Sequence, residues 1–274
     1  MRQVDGWLRP LGVAGWVALV GLVVFVVLAV GAALGLWAAG FEGAVAREHL
    51  SPGPAAWLGT DALGRDLLAR TLQGARVSLV VGGGAALGLV TIGAALGAFA
   101  GLRGGWIDRL LAGLCDALAA IPPVVTLLGA ALLLRPGLAT AIAAIALTQW
   151  HGVVRSGRAE ALRMRSADHD RAARAMGAGT WHRVRWHLLP RLRPLLVTSL
   201  VLCFVYAVKV EALLAYFGAS AQSLPSWGRL LAETGSELAR GIWWPTLAAS
   251  VPLASLVLCA QVLADRLGDG EPRG

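Results

Sequence analysis

The sequence predicts an all-α membrane protein with six transmembrane helices. Three observations carry that prediction. Hydrophobic residues make up 57% of the 274-residue chain against 15% charged, with a mean hydropathy of +0.68. The apolar residues fall in long uninterrupted runs. The basic residues crowd into alternate connections between those runs. A soluble domain of this length needs a charged surface, so such a sparse supply of charge points to lipid as the solvent.

A membrane helix needs about 20 consecutive apolar residues. Leu11–Gly40 and Val77–Leu102 carry no charge, and Leu110–Leu134 holds only Asp116. Pro136–Val154 is uncharged when His151 is neutral, Pro194–Phe217 contains Lys209 and Glu211, and Gly241–Ala264 is uncharged. The first run is about twice the usual 7–15 residue core of a signal peptide, so it is expected to stay as an uncleaved helix. The chain divides accordingly into an N-terminal helix (1–40), an external loop with a short helix (41–76), a five-helix core (77–264) and a tail (265–274). A long loop at 155–193 interrupts the core.

Orientation follows from the basic residues. Residues 1–10, 103–109, 155–193 and 265–274 hold 16 Lys and Arg, whereas 41–76, the Arg135 turn and 218–240 hold 7. The first set is expected on the cytoplasmic side, with both termini inside. The formal charge of +8 is then a topology signal. Basic charge speaks for nucleic acid only when it clusters on a folded soluble face, and no such face is predicted. Trp7, Trp37, Trp106, Trp150, Trp243 and Trp244 lie near span ends, where amphipathic rings anchor at the headgroup level. Cys115, Cys203 and Cys259 all fall in apolar runs without metal-ligand spacing, and a disulfide framework is not expected. No internal repeat of the kind found in many secondary transporters is evident.

The loop at 155–193 holds the most informative motif. Around 168–176 it is rich in Ala and Arg, both strong helix formers. Gly177 and Gly179 permit the left-handed or tight geometry that stops a helix. Thr180 is placed to cap a second helix, and Pro190 to mark the turn toward the fifth span. The pattern predicts a short helix, a sharp turn and a second helix hung beside the membrane.

Ala172 and Ala173 precede Gly177 by five and four positions, and Leu189-Pro190 follow it by 12 and 13. This spacing resembles the EAA loop of ABC importer permeases, with Arg171 in place of the Glu. Peptide-permease versions usually carry Tyr-Val just before, where this chain has His169-Asp170. A second block agrees. Leu58-Gly59-Thr60-Asp61-Ala62-Leu63-Gly64-Arg65-Asp66 and the following Leu67-Leu68-Ala69-Arg70 resemble the DppC/OppC-like peptide and nickel permeases. Physically this block reads as an external helix started by Thr60 or Asp61, with Asp66 favouring its positive end. Trp106 to Arg109, Asp116 with Ile121-Pro122, Arg155, Arg158, Glu160, Glu211 to Gly218 and Ser226-Trp227-Gly228 extend the likeness over about 58–267.

The resemblance implies the type I ABC importer permease fold and transport by alternating access in a bacterial inner membrane. It implies a coupling helix formed by Ala172, Ala173, Arg174 and Gly177, with Leu189 and Pro190 at its exit, seated in a groove of a separate ATPase. It also implies a second homologous permease and an external substrate-binding protein. No cofactor is expected in this chain, with ATP and Mg held by the ATPase partner. The residues agree, since there is no G-x-x-x-x-G-K-[ST] phosphate loop. Peptides, nickel chelates and opines are the solute classes of such permeases.

Ionisable groups inside a span are costly and are functional candidates by default. Glu211 is expected to face a partner subunit or a watery pathway, or else to make a structural hydrogen bond. Asp116 is expected to serve helix packing or a gate. A proton-coupled secondary transporter or an intramembrane enzyme would need a midplane cluster of acids, His or Ser/His pairs, and only these two carboxylates are available.

Overall fold

This computed structural model describes residues 12–269 apart from 39, 134, 178 and 222, with the side chains of 132, 169, 174, 180, 181 and 269 also outside the description. The expected anchor Trp7 and the ends of both tails therefore lie outside the described residues. In chain order the helices are α1 (Gly12–Ala33), α2 (Leu67–Arg103), α3 (Gly105–Ala120), α4 (Pro123–Leu133), α5 (Leu138–Thr148), α6 (His151–Ser166), α7 (Asp168–Ala175), α8 (Thr180–Arg183), a π-helical turn (Val184–Leu188), α9 (Leu189–Tyr216), α10 (Trp227–Leu238) and α11 (Trp244–Asp269).

Among the described residues, four helical runs are long and apolar enough to cross a membrane: Gly12–Ala33, Leu67–Arg103, Val184–Tyr216 and Trp244–Gly268. The third expected span, Leu110–Leu134, is instead two helices bent by 90°. Ile121 is extended (φ −85°, ψ 131°) because the following Pro122 disfavours helix at the residue before it. The fourth expected span, α5, has 11 residues and is roughly 16 Å long, about half the hydrocarbon thickness. Six uniform spans thus become four whole helices, one broken and one short. Gln149 closes α5, and the chain resumes as α6 at His151. Gln149 Nε2 lies 3.4 Å from Thr126 Oγ1, linking that break to α4.

The expected short external helix is absent as a separate element. Residues 41–66 form turns with isolated bridges such as Ala44 to Arg65, and lead directly into α2. Asp66, and not Thr60 or Asp61, is the N-cap, its carboxylate accepting from Leu68 N at 2.9 Å. Thr60 instead pins the preceding loop, accepting from Leu50 N at 2.8 Å and donating to Arg47 O at 2.6 Å.

At the centre stands α2, which packs against α1, α5, α6, α9 and α11 and most extensively against α6. Its approach to α6 uses glycines one turn apart. A Cβ on Gly93 would fall 2.5 Å from Val153 Cβ, on Gly97 2.5 Å from the Val154 carbonyl oxygen, and on Gly101 2.7 Å from Ala161 Cβ. Small residues let helix backbones touch where lipid offers no hydrophobic drive for association. Elsewhere α2 buries Val77, Val81, Ala85 and Leu89 with Leu127, Ile145 and Leu214 in the main core.

Ser226-Trp227-Gly228 closes the far end. Trp227 is fully buried and donates from Nε1 to Thr71 O at 2.9 Å, while a Cβ on Gly228 would meet the Ala212 carbonyl oxygen at 2.0 Å. By contrast α1 leaves Val13, Val17, Val20 and Val27 more than half exposed. An apolar face of that kind belongs in lipid or against another protein. Of the expected interface tryptophans, Trp106 and Trp243 are exposed, whereas Trp37 and Trp244 hydrogen-bond to Leu28 O and Thr60 O.

Gly97→Ala should force α2 and α6 apart and cost about 1–3 kcal/mol. Gly83→Ala adds a Cβ with nothing within 4 Å and should be neutral. Thermal aggregation midpoints of the two variants in detergent will separate them; equal midpoints would refute the contact.

Candidate functional site

The loop after α6 builds the expected helix, turn and helix. Ala167 breaks from helix (φ −73°, ψ 144°), and α7 restarts with Asp168 and Asp170 in its first turn, where carboxylates favour the positive end. Gly177 takes φ +84°, the left-handed stop expected of it. From Thr180 the chain runs through α8 and the π turn into α9 without a break. Pro190 sits within the first turn of α9, where its missing N–H costs nothing, so it does not turn the chain as expected.

The faces of α7 are now distinct. Ala172, Ala175, Met176 and Gly177 are exposed, and Met176 is 82% exposed. Ala173, expected in the contact with an ATPase, points inward and is only 6% exposed. That expectation is corrected, because a side chain packed inside its own loop cannot line an outer docking face. The Arg174 side chain and the Thr180 cap lie outside the described residues. Leu189 and Pro190 are exposed, and it is Leu188 that anchors the hairpin, fully buried with Ala161, Met164 and Leu192.

Two further residues were missed. Asp170, fully buried, accepts a bidentate pair from Arg183: Nε to Oδ1 at 2.7 Å and Nη2 to Oδ2 at 2.8 Å. Their separation of 13 positions left no periodic signal in the sequence. Met176 was legible as an apolar residue beside a helix stop, but not as an exposed one.

The two candidate carboxylates do not come together. Asp116 accepts from Arg155 Nη2 at 2.8 Å, with side chains 73% and 52% exposed. One turn along α6, Arg158 grips Asp108 with both Nε and Nη2. The pairs tie α3 to α6, which supports the packing alternative for Asp116; an ion pair so exposed is worth little by itself. Glu211 is fully buried inside the chain and accepts from Ser220 Oγ at 3.1 Å. Of the two alternatives, this burial favours the structural one. The carboxylate fastens α9 to the segment leading to α10, the structural alternative. Lys209, two residues away, is exposed on another face. No group of three or more His, Cys, Asp or Glu side chains could hold a metal ion among the described residues.

A third cluster lies beside the start of α2. Asp61 accepts from the backbone N–H of Leu63 (2.8 Å) and Arg65 (3.0 Å), from Arg65 Nε (2.7 Å) and from Arg70 Nη1 (2.5 Å). Arg70 is 2% exposed and also reaches Glu233 of α10 at 2.8 Å. Burial alone would raise the Asp61 carboxyl, but the backbone and side-chain donors with the Arg70 charge outweigh it and hold the group below its ordinary range. This network joins the loop to α2 and α10.

Residues 93–270 match the family described as Binding-protein-dependent transport system inner membrane component. The chain is 32% identical over 223 residues to the dipeptide transport system permease protein DppC of Bacillus subtilis, covering 81% of this chain and 70% of that protein. It is 34% identical over 223 residues to the probable D,D-dipeptide transport system permease protein DdpC of Escherichia coli, covering 81% and 73%. To the glutathione transport system permease protein GsiD of Pectobacterium atrosepticum it is 32% identical over 228 residues, covering 81% and 73%. Among solved structures, a chain of the inward-facing MetNI methionine ABC transporter aligns with a TM-score of 0.59 at 20% identity, covering 74% of this chain and 97% of that one. That likeness concerns the fold.

Asp61→Asn should cost roughly 3 kcal/mol, because it removes one partner of a buried charge network. The gap between wild type and variant depends on pH with a fixed sign. A depressed carboxyl adds stability above its ordinary value of 3.8, and that stability is lost as pH falls further, through the folded value. Thermal midpoints measured from neutral pH downward should therefore converge only below about pH 4.

Proposed function

This chain belongs to the family of binding-protein-dependent transport system inner membrane components, and from that premise we propose how it is oriented, coupled and loaded. It is a multi-pass inner-membrane permease subunit of an ABC importer, and ATP hydrolysis takes place in a separate subunit. The cargo is a peptide or a related small solute, in keeping with the permeases it resembles.

In our reading α7 is the coupling helix. The observation that supports it is the exposed face of Ala172, Ala175 and Met176, ended by a left-handed Gly177. Small residues allow close approach to a groove, and Met176 supplies an adaptable apolar anchor. Residues 155–193 then face the cytoplasm together with both termini, a reading supported by the 16 to 7 distribution of basic residues. Each chain offers one such hairpin, so a second, homologous permease supplies the other for a pair of ATPase subunits. An external binding protein delivers the solute, and closure of the ATP-loaded and Mg-loaded pair drives alternating access.

Burying Met176 on docking contributes about 1.5 kcal/mol. Met176→Glu should weaken co-purification of the ATPase subunits about tenfold and lower uptake of a radiolabelled pool of di- and tripeptides in parallel. Ala173→Glu should instead unfold α7 from within. Wild-type uptake by Met176→Glu would remove α7 as the coupling helix. For orientation, Cys at Ser51 and Ser223 should react with an impermeant reagent on intact cells and Cys at Ser166 should not; the reverse pattern would overturn the topology.

A further inference from the structure

The coupling hairpin contains a weakness and a brace across it. The weakness is the turn at Gly177–Gly179. Gly177 sits at φ +84°, a Cβ on either glycine would meet nothing within 4 Å, and Met176 beside them is exposed. Neither glycine carries a side chain that could hold the angle of the turn. A displacement applied to α7 could therefore be absorbed by bending there, and the rest of the permease would not feel it.

Asp170 and Arg183 lie on opposite sides of that turn. Their bidentate pair, at 2.7 and 2.8 Å, is buried on both partners, 0% and 8% exposed. A planar guanidinium held by both carboxylate oxygens fixes orientation as well as distance. Ala173, on the same inward face one turn later, is buried as well. On its other side Arg183 lines, with Val184, a cavity of about 470 Å³ against Ala95, Ala98, Phe99, Leu102 and Arg103 of α2. The brace thus stands between α7, the π turn leading into α9, and the end of the central helix.

The Arg171–Asp168 pair on the same helix differs in kind. Arg171 pairs with Asp168 at 3.5 Å on the outside of the same helix, with side chains 65% and 97% exposed. Such a pair is solvated and loose. Removing one partner of the buried pair would instead leave a desolvated charge inside the hairpin.

We propose that Asp170 and Arg183 are positioning residues for coupling: their buried ion pair bridges the glycine turn, so that motion of α7 is passed to α9 and α2 as a rigid-body movement. The inference rests on α7 being the coupling helix. It concerns the stiffness of the hairpin and not the docking face, which the pair does not reach.

The test uses the intact transporter purified with its ATPase subunits and binding protein in proteoliposomes. Two quantities are read: ATPase subunits retained per permease, and ATP hydrolysed per radiolabelled di- or tripeptide imported. Coupling between sites is typically worth 5–150-fold. Asp170→Asn should retain the ATPase subunits but raise the ATP cost per peptide about tenfold. The exchanged pair, Asp170→Arg with Arg183→Asp, should bring the ratio back toward wild type, a recovery that no general loss of folding would show. An unchanged ratio in Asp170→Asn, or an exchanged pair no better than the single variant, would overturn the proposal. Failure of the coupling-helix reading itself looks different: a Cys at Ala175 in the otherwise wild-type complex would then not cross-link to any ATPase subunit.

Discussion

Everything in this fold hangs on how closely α2 and α6 approach. Gly93, Gly97 and Gly101 place one helix backbone against the other, so close that a methyl group at Gly97 would fall 2.5 Å from the Val154 carbonyl oxygen. That contact is the hinge between the transmembrane body and the loop, because α6 leads straight into α7. It also sets where Arg155 and Arg158 emerge, and hence how α3 is tied by Asp116 and Asp108. In lipid the helices gain nothing by hiding apolar surface from water, so the van der Waals fit at these glycines carries the association.

The charged networks follow from this frame and differ in kind. Asp61, Arg70 and Glu233 knit the loop before α2 to α10, with Asp61 and Arg70 nearly inaccessible. Asp170 and Arg183 knit the hairpin after α6. Each spans an irregular segment, and each compensates a buried charge with a bidentate or multiple set of donors. The exposed Asp116–Arg155 pair has no such support and contributes orientation more than energy.

Composition and hydropathy made the membrane class and the hairpin legible, because both depend on local signals: apolar runs, helix formers and a glycine at a stop. The Gly177 conformation follows from the sequence alone. The breaks did not. Counting apolar residues cannot separate one span from two helices bent at Ile121-Pro122, although the double proline offered a cue. Inward and outward faces were harder still. Ala173 and Ala172 are neighbours in an Ala-rich run, and only packing against the hairpin core decides which is buried. For Glu211 the sequence left a pathway face and a structural hydrogen bond open, and only the packing that brings Ser220 to it favours the second. The Asp170–Arg183 partnership is a long-range contact between residues that each look like ordinary surface charge.

One consequence of the broken α3–α4 segment and the short α5 concerns the medium around them. Backbone that leaves the helix within an apolar stretch has peptide groups that oil cannot satisfy. Such a break survives only against protein or in contact with water. The Gln149 and Thr126 side chains that meet there need the same surroundings. The valine face of α1 makes the opposite demand. The molecule therefore asks for different surroundings on its two sides, an apolar one along α1 and a hydrated or proteinaceous boundary along α4 and α5.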